Sequence, residues 1–317
     1  MNPPPRLAAL EAKTISNALK APGGLRIPYG ACTVRVRAFV DGFADALRNV
    51  YGAFPFLTDD GFDDFHLVID RGRGARRWVR PTARFLIDGV EPFEPFPRSN
   101  ALPYFEWGVN WCFAQRFNQY VLLHAGVLAL GDRAVVMAAT PGSGKSTLAA
   151  GMMLSGFRLL SDEFGVLDPV SGDLLSMLKP VALKNESIEV IRALSDEAAL
   201  GPIYRGTRKG DVSHLAPNAN SVEQLGARAR PVLVVFPRYR RGVGLELKPQ
   251  LPEEAFARLA FNSFNYSLLG PVSFDALAVL AGRCQVYELT YGDLPKAIGC
   301  VRALLNSNGE GGGAREY

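Results

Sequence analysis

The segment AVVMAATPGSGKST runs from Ala134 to Thr147. Its apolar start, Val135, Val136 and Met137, turns through Ala139 to Ser146 into an alanine-rich helical pattern with Leu148, Ala149, Ala150, Met152 and Met153. Strand, phosphate-binding loop and helix are expected in that order. Gly142 and Gly144 lack a Cβ, so the loop can curl until successive backbone amides converge on a phosphate, helped by the positive end of the following helix. Thr140, Pro141, Gly142, Ser143, Gly144, Lys145, Ser146 and Thr147 are therefore the candidate nucleotide-binding residues. Lys145 would reach the β and γ phosphates, and the Ser146 hydroxyl would hold magnesium. Ala139 stands where the usual pattern begins with glycine, and a glycine-rich turn that merely joins two elements is the competing reading.

The flanks of this segment carry chemistry as well. Downstream, Gly156-Phe-Arg-Leu-Leu-Ser161-Asp162-Glu163 reads as an apolar strand ending in two acids. Carboxylates at a strand end beside a phosphate loop suit a magnesium ion that bridges β and γ phosphates. Upstream, Val121 to Leu130 reads as a strand with His124 inside an apolar run, turning at Gly131-Asp132 into the phosphate-loop strand. A histidine in such a run is commonly a hydrogen-bonded core residue. Its place in the strand before the loop makes it a site candidate.

Taken together, the segments Leu122-Leu-His124-Ala-Gly126-Val-Leu128, Thr140-Pro-Gly-Ser-Gly-Lys-Ser-Thr147 and Gly156-Phe-Arg-Leu-Leu-Ser-Asp162-Glu163 resemble the catalytic domain of HPr kinase/phosphorylase. More narrowly, the chain is similar to the HPr-kinase-related proteins of bacteria, over about residues 120 to 168 most strongly. The resemblance implies a phosphoenolpyruvate-carboxykinase-like fold. It also implies Asp162 as the base for an attacking hydroxyl, His124 beside it, and Ser146 with Asp162 or Glu163 as the magnesium ligands. The family pair is usually Asp-Asp, whereas this chain has Asp162-Glu163. Homo-oligomers are common in the family, so the resemblance leaves a homo-oligomer open here without fixing the oligomeric state.

Elsewhere, Thr33 to Ala38 alternates as a half-buried strand, and Phe43, Leu47, Val50 and Tyr51 follow at helical spacing with Asp41 as the expected cap. Strand-like runs at Phe65 to Ile69, Trp78 to Val79 and Arg84 to Ile87 suggest a small N-terminal α+β region. The basic cluster Arg71, Arg73, Arg76, Arg77, Arg80 and Arg84 lies among acids, and reads as a solvated hairpin face more readily than as a nucleic-acid site. Pro103 to Tyr120 suits an aromatic-rich helix with Trp107 and Trp111 on a neighbouring stripe in the core or a domain interface. Further on, Lys184 at a strand end, Arg205, Arg208 and Lys209 in a mobile basic loop over 201–221, and Arg238 after the buried run 231–236 are candidates for phosphate or acceptor contacts. Asn185 or Ser187 is expected to cap a helix, and helices are also expected over 252–261 and 294–305. The tail 307–317 reads as disordered. The expected organisation is α/β, α+β overall, with a region over 1–102 and a catalytic domain over 103–306.

Hydrophobic residues make up 48% of the 317 positions and charged ones 21%, a globular composition. A net charge of +4 does not argue for nucleic acid. The four scattered cysteines read as free thiols, and no apolar run is long enough for a bilayer, so a cytoplasmic location is expected with no membrane partner. The leading expectation is an ATP-dependent kinase using Mg2+ to phosphorylate a hydroxyl, most simply a serine of a protein or peptide. A small-molecule kinase acting on a sugar, inositol or amino acid, and a non-catalytic ATP-binding sensor, are the alternatives.

Overall fold

The computed structural model describes residues 4–77, 79–207 and 209–307. The chain forms two compact units, Met1–Arg116 with Lys179–Leu225 and Phe117–Leu178 with Gly226–Tyr317. The first unit opens with α1 (Ala12–Lys20), β1 (Leu25–Pro28), β2 (Thr33–Ala38), α2 (Phe43–Val50), β3 (Phe65–Arg71), β4 (Thr82–Ile87), β5 (Phe96–Pro97) and α3 (Ala101–Arg116). Its five strands pair in the order β1-β2-β3-β4-β5. Strand β2 buries every second residue, as its alternation requires. Helix α2 begins after Gly42, at φ 79°, without a side-chain cap. The Asp41 carboxylate instead accepts hydrogen bonds from Arg71 and Arg98.

The basic cluster is only partly solvated. Arg84 is buried, and its guanidinium donates to Asp70, to Glu91 and to the Arg71 carbonyl. Of the expected pair Trp78 and Val79, Trp78 lies outside the described residues and Val79 is in a bend rather than a strand. Helix α3 buries Phe105, Val109, Cys112 and Phe113, while half-exposed Trp107 and Trp111 pack on Phe93.

The chain continues in the second unit with β6 (Val121–Leu130), β7 (Arg133–Ala138), α4 (Lys145–Leu154), β8 (Arg158–Ser161), β9 (Phe164–Leu167) and β10 (Leu174–Leu175). It then supplies the first unit with β11 (Val181–Lys184), α5 (Glu186–Leu194), β12 (Tyr204–Thr207), β13 (Gly210–Leu215) and α6 (Ala219–Glu223). The segment expected as a mobile loop is therefore largely a hairpin, in a three-stranded sheet of order β11-β13-β12. Burial of Val212, Ser213, His214 and Leu215 anchors it. Asn185 occupies the position before α5 at φ 50° but its side chain makes no cap, and the Ser187 hydroxyl bonds to the backbone of Lys184.

The sequence-based boundary near residue 102 is not where the compact units divide. Helix α3 packs on β3, β4 and β5. Lys179, at the start of the 179–225 segment, is paired with Glu106 of α3 across 3.0 Å, both side chains being buried.

The second unit is completed by β14 (Arg230–Tyr239), β15 (Glu246–Pro249), α7 (Pro252–Phe261), α8 (Tyr266–Leu269), α9 (Pro271–Arg283), β16 (Gln285–Tyr291) and α10 (Leu294–Ser307). Of the expected disordered tail, residues 308–317 lie outside the described residues. Eight strands form one mixed sheet of order β10-β9-β6-β7-β14-β16-β15, with β8 also paired to β6. Strands β7, β14 and β16 are mutually parallel, and the other pairings are antiparallel.

One face of this sheet buries Leu123, Ala125, Val127, Val136, Ala138 and Phe236 against α7 and α9. Along β6 the intervening residues face the other way. A Cβ on Gly126 would meet Met137, Lys145 and Ala149 at 3.3, 3.7 and 3.8 Å, so Gly126 faces α4. The architecture is thus α+β with several sheets, and the parallel trio gives the second unit its α/β character. No helix among the described residues is long and apolar enough to cross a membrane.

Candidate nucleotide site

Strand β7 ends at Ala138, and the expected loop follows it. Gly142 and Gly144 sit at φ 87° and 85°, the left-handed region that glycine enters without a Cβ penalty. Ser143 N donates to Thr140 O at 3.3 Å, and Leu148 N donates to Gly144 O at 2.9 Å to start α4. Two neighbouring parallel strands brace the loop. Tyr239 N, at the end of β14, donates to Ser143 O at 2.9 Å, and Tyr291 Oη, at the end of β16, donates to Gly144 O at 3.1 Å. Burial raises the pKa of Tyr291 and keeps that donor protonated. The loop therefore lies beyond the carboxyl ends of three parallel strands, where open α/β sheets place ligands.

The acids arrive on the other side of β6. Val127 pairs with Ser161 and His124 with Phe164, so Asp162 and Glu163 span the positions opposite Gly126 and Ala125. Ala125 N donates to Glu163 O at 3.2 Å. Strand β8 ends at Ser161, directly before the acids, as the sequence suggested, and the chain bends through them into β9. Ser161 makes the bend: its Oγ accepts from Glu163 N at 3.3 Å and Phe164 N at 2.9 Å, satisfying two amides that leave the ladder. On its opposite edge β6 pairs Gly126 with Met137 and Ala125 with Ala138. Two strand spacings, about 10 Å, thus separate the acidic bend from the residues that lead into the phosphate loop.

His124 lies two residues before Gly126 and shares its face of the strand. The stem of Lys145 runs past Gly126 on that same face, as the 3.7 Å approach to its Cγ shows. Lys145 is buried at the start of α4, whereas Ser146 and Thr147 are half-buried and Thr140, Pro141 and Gly142 are exposed. His124 N donates to Asn262 O at 2.6 Å, and its ring packs near Phe264. The histidine and the lysine therefore share the face of β6 on which Gly126 carries no side chain, and the acidic bend runs alongside that position.

Among the described residues no group of three or more His, Cys, Asp or Glu side chains could hold a metal ion. The donors here, one hydroxyl at Ser146 and carboxylates at Asp162 and Glu163, fit magnesium, which takes one or two protein oxygens and completes its shell with phosphate and water.

A pocket of about 530 Å³ adjoins the loop on the α7 side of the sheet. Its walls are Ala138 to Ser143, Phe236 to Tyr239, and Ala257, Arg258, Phe261 and Asn262 of α7 and its end. Glu288 accepts from Arg238 at 3.3 Å and from Arg258 at 3.2 Å, fixing both guanidinium groups. Arg258 also lies 3.7 Å above the Phe236 ring. Arg238 was visible in sequence at a strand end. Arg258 and Phe261 were not, because helix and strand end were each identifiable but their packing against one another was not. Lys184, Arg205 and Lys209 belong to the first unit, where Lys184, Arg205 and Lys209 are exposed, and Arg208 lies outside the described residues.

All four cysteines are free, and burial raises the pKa of each thiol, that of Cys112 and of Cys284 to about 12. None has the lowered pKa of a thiolate nucleophile. The chain matches no protein-family model, and no curated protein is similar enough to count as a relative.

Proposed function

We propose that this chain is an ATP-dependent kinase of the HPr-kinase-like type, acting in the cytoplasm and transferring the γ-phosphate to a hydroxyl, most simply a serine of a protein or peptide. The observation that carries the reading is the register of β6. It sets Asp162 opposite Gly126 on one edge and the strand entering the phosphate loop on the other, with Lys145 running along Gly126. A loop of this kind alone indicates phosphate binding. The adjoining acids add a means of handling an acceptor proton.

In this reading the amides of Gly142 to Ser146 and the ammonium of Lys145 hold the phosphate chain, and their charge offsets that of the leaving group. Magnesium, when bound by Ser146 with Asp162 or Glu163, neutralises charge shared by the β and γ phosphates. Asp162 accepts the acceptor's proton and aligns its oxygen with the γ phosphorus, and His124 stands beside it. Most of the acceleration comes from positioning and charge, since phosphoryl transfer needs little covalent help from the protein.

The test is incubation of the protein with γ-labelled ATP and magnesium in lysate from its own source, with separation of protein, peptide and small-molecule fractions. Label is expected in a protein or peptide band, lost with Lys145→Ala and with Asp162→Asn, the latter still binding ATP. Unchanged transfer by Asp162→Asn would remove Asp162 from the role of base. Label confined to small molecules would change the acceptor class, and ATP binding without any transfer would make the chain a sensor.

A further inference from the structure

The pocket beside α7 is not used by any step above. It shares a wall with the phosphate loop, from Ala139 to Ser143, yet Lys145, His124 and the acids do not line it. Its volume, about 530 Å³, lies within the range of small-molecule sites. Its lining mixes ring faces with fixed cations. Phe261 is 82% exposed at the end of α7, so its phenyl ring presents an uncovered apolar face. Arg258 and Arg238 are held by one carboxylate, Glu288, each through a single nitrogen, which leaves further donors on each fork.

Direction decides what this pocket can hold. A phosphate chain seated on the amides at the start of α4 has its reacting end toward the β6 edge, where Asp162 and Glu163 lie. Its other end then points toward β14, whose terminal residues Phe236 to Tyr239 form the pocket wall. We infer that the pocket binds the nucleoside end of the nucleotide, with the base stacked on Phe261 and the ribose hydroxyls accepting from Arg258 and Arg238. The inference rests on the reading of residues 140–147 as a nucleotide site. A flat ring on a phenyl face gains stacking free energy whatever the base, and the exposed ring exchanges water for that contact.

The experiment is calorimetric titration of the full chain with ATP and, separately, with inorganic tripolyphosphate, both with magnesium. Phe261→Ala is expected to raise the Kd for ATP about ten-fold, within the range of single base-stacking losses, and to leave that for tripolyphosphate unchanged. Phe261→Trp should restore ATP affinity, and the added indole emission should be quenched by ATP but not by tripolyphosphate. Equal ATP affinity in Phe261→Ala and the natural chain, with Lys145→Ala losing both ligands, would overturn the inference and leave the phosphate loop standing. A Phe261→Ala loss shared equally by both ligands would also overturn it, since the ring would then be supporting the loop. Binding of neither ligand by the natural chain would overturn the inference and the nucleotide reading together.

Discussion

At Gly144 two constraints coincide: a backbone φ of 85°, and a Cβ position only 2.6 Å from Tyr291 Oη and 2.8 Å from Tyr239 Cβ. Gly142 has a similar φ of 87° but nothing within 4 Å of its Cβ position. The left-handed conformation alone costs a non-glycine residue about 1–2 kcal/mol. Gly142→Ala is therefore expected to lose about that much stability, whereas Gly144→Ala must also displace two tyrosines that brace the loop. Urea midpoints should rank natural chain, Gly142→Ala and Gly144→Ala in falling order, and equal midpoints for the two variants would contradict the bracing geometry. The sequence marked both glycines as loop residues. It could not separate them, because the atoms that crowd Gly144 come from residues 239 and 291.

The acidic bend between β8 and β9 is an element built on one hydroxyl. Ser161 Oγ accepts from two amides that the β6 ladder does not reach. Ser161→Ala would leave those donors without their acceptor, at about 1–3 kcal/mol if they stay buried. It should also loosen the bend that carries Asp162. The expected outcome is reduced phosphate transfer with ATP affinity nearly intact, measured by label transfer alongside calorimetry; intact transfer would show that the bend holds without its serine.

Strands β6, β7 and β14 and helix α4 were legible because each is an unbroken apolar or helical run bounded by glycine, proline or acids. Strand β9 beyond the acids was not, since nothing local to 164–167 shows that the chain rejoins the β6 ladder at Phe164. Likewise 201–221 looked like loop, with its Gly, Asn and Pro. Pairing to β11 and burial of Val212 to Leu215 override that local composition. Helices α8 and α9 escaped notice; Gly270 separates them and Pro271 opens the second.

The whole chain is built as two units from alternating segments, and the first holds a polar cluster in its interior. Tyr29 and Tyr51 are hydrogen-bonded through their hydroxyls at 3.1 Å, Tyr51 donates to Glu106 at 2.5 Å, and Glu106 is paired with Lys179. Such a pair is costly to break from one side, because the remaining charge stays buried. His214 lies in the same interior, 2% exposed, with no hydrogen-bond partner for Nδ1 among the described residues and the Tyr204 ring centroid 6.2 Å away.

Desolvation is the main cause that lowers the His214 pKa from 6.5; Lys179 lowers it further and Glu106 opposes the shift. The folded chain thus keeps this imidazole neutral where the unfolded chain would already be protonated. Protons bind the unfolded state preferentially, so stability is full above pH 6.5 and falls as pH drops from there toward the lower, folded-state pKa. Urea unfolding at a series of pH values between about 8 and 5 should show this loss. In His214→Phe the decline should be shallower by the share of one proton, whatever the variant does to stability at pH 8. Curves of equal slope for the two chains would mean that His214 is protonated within the fold, with Glu106 compensating its charge.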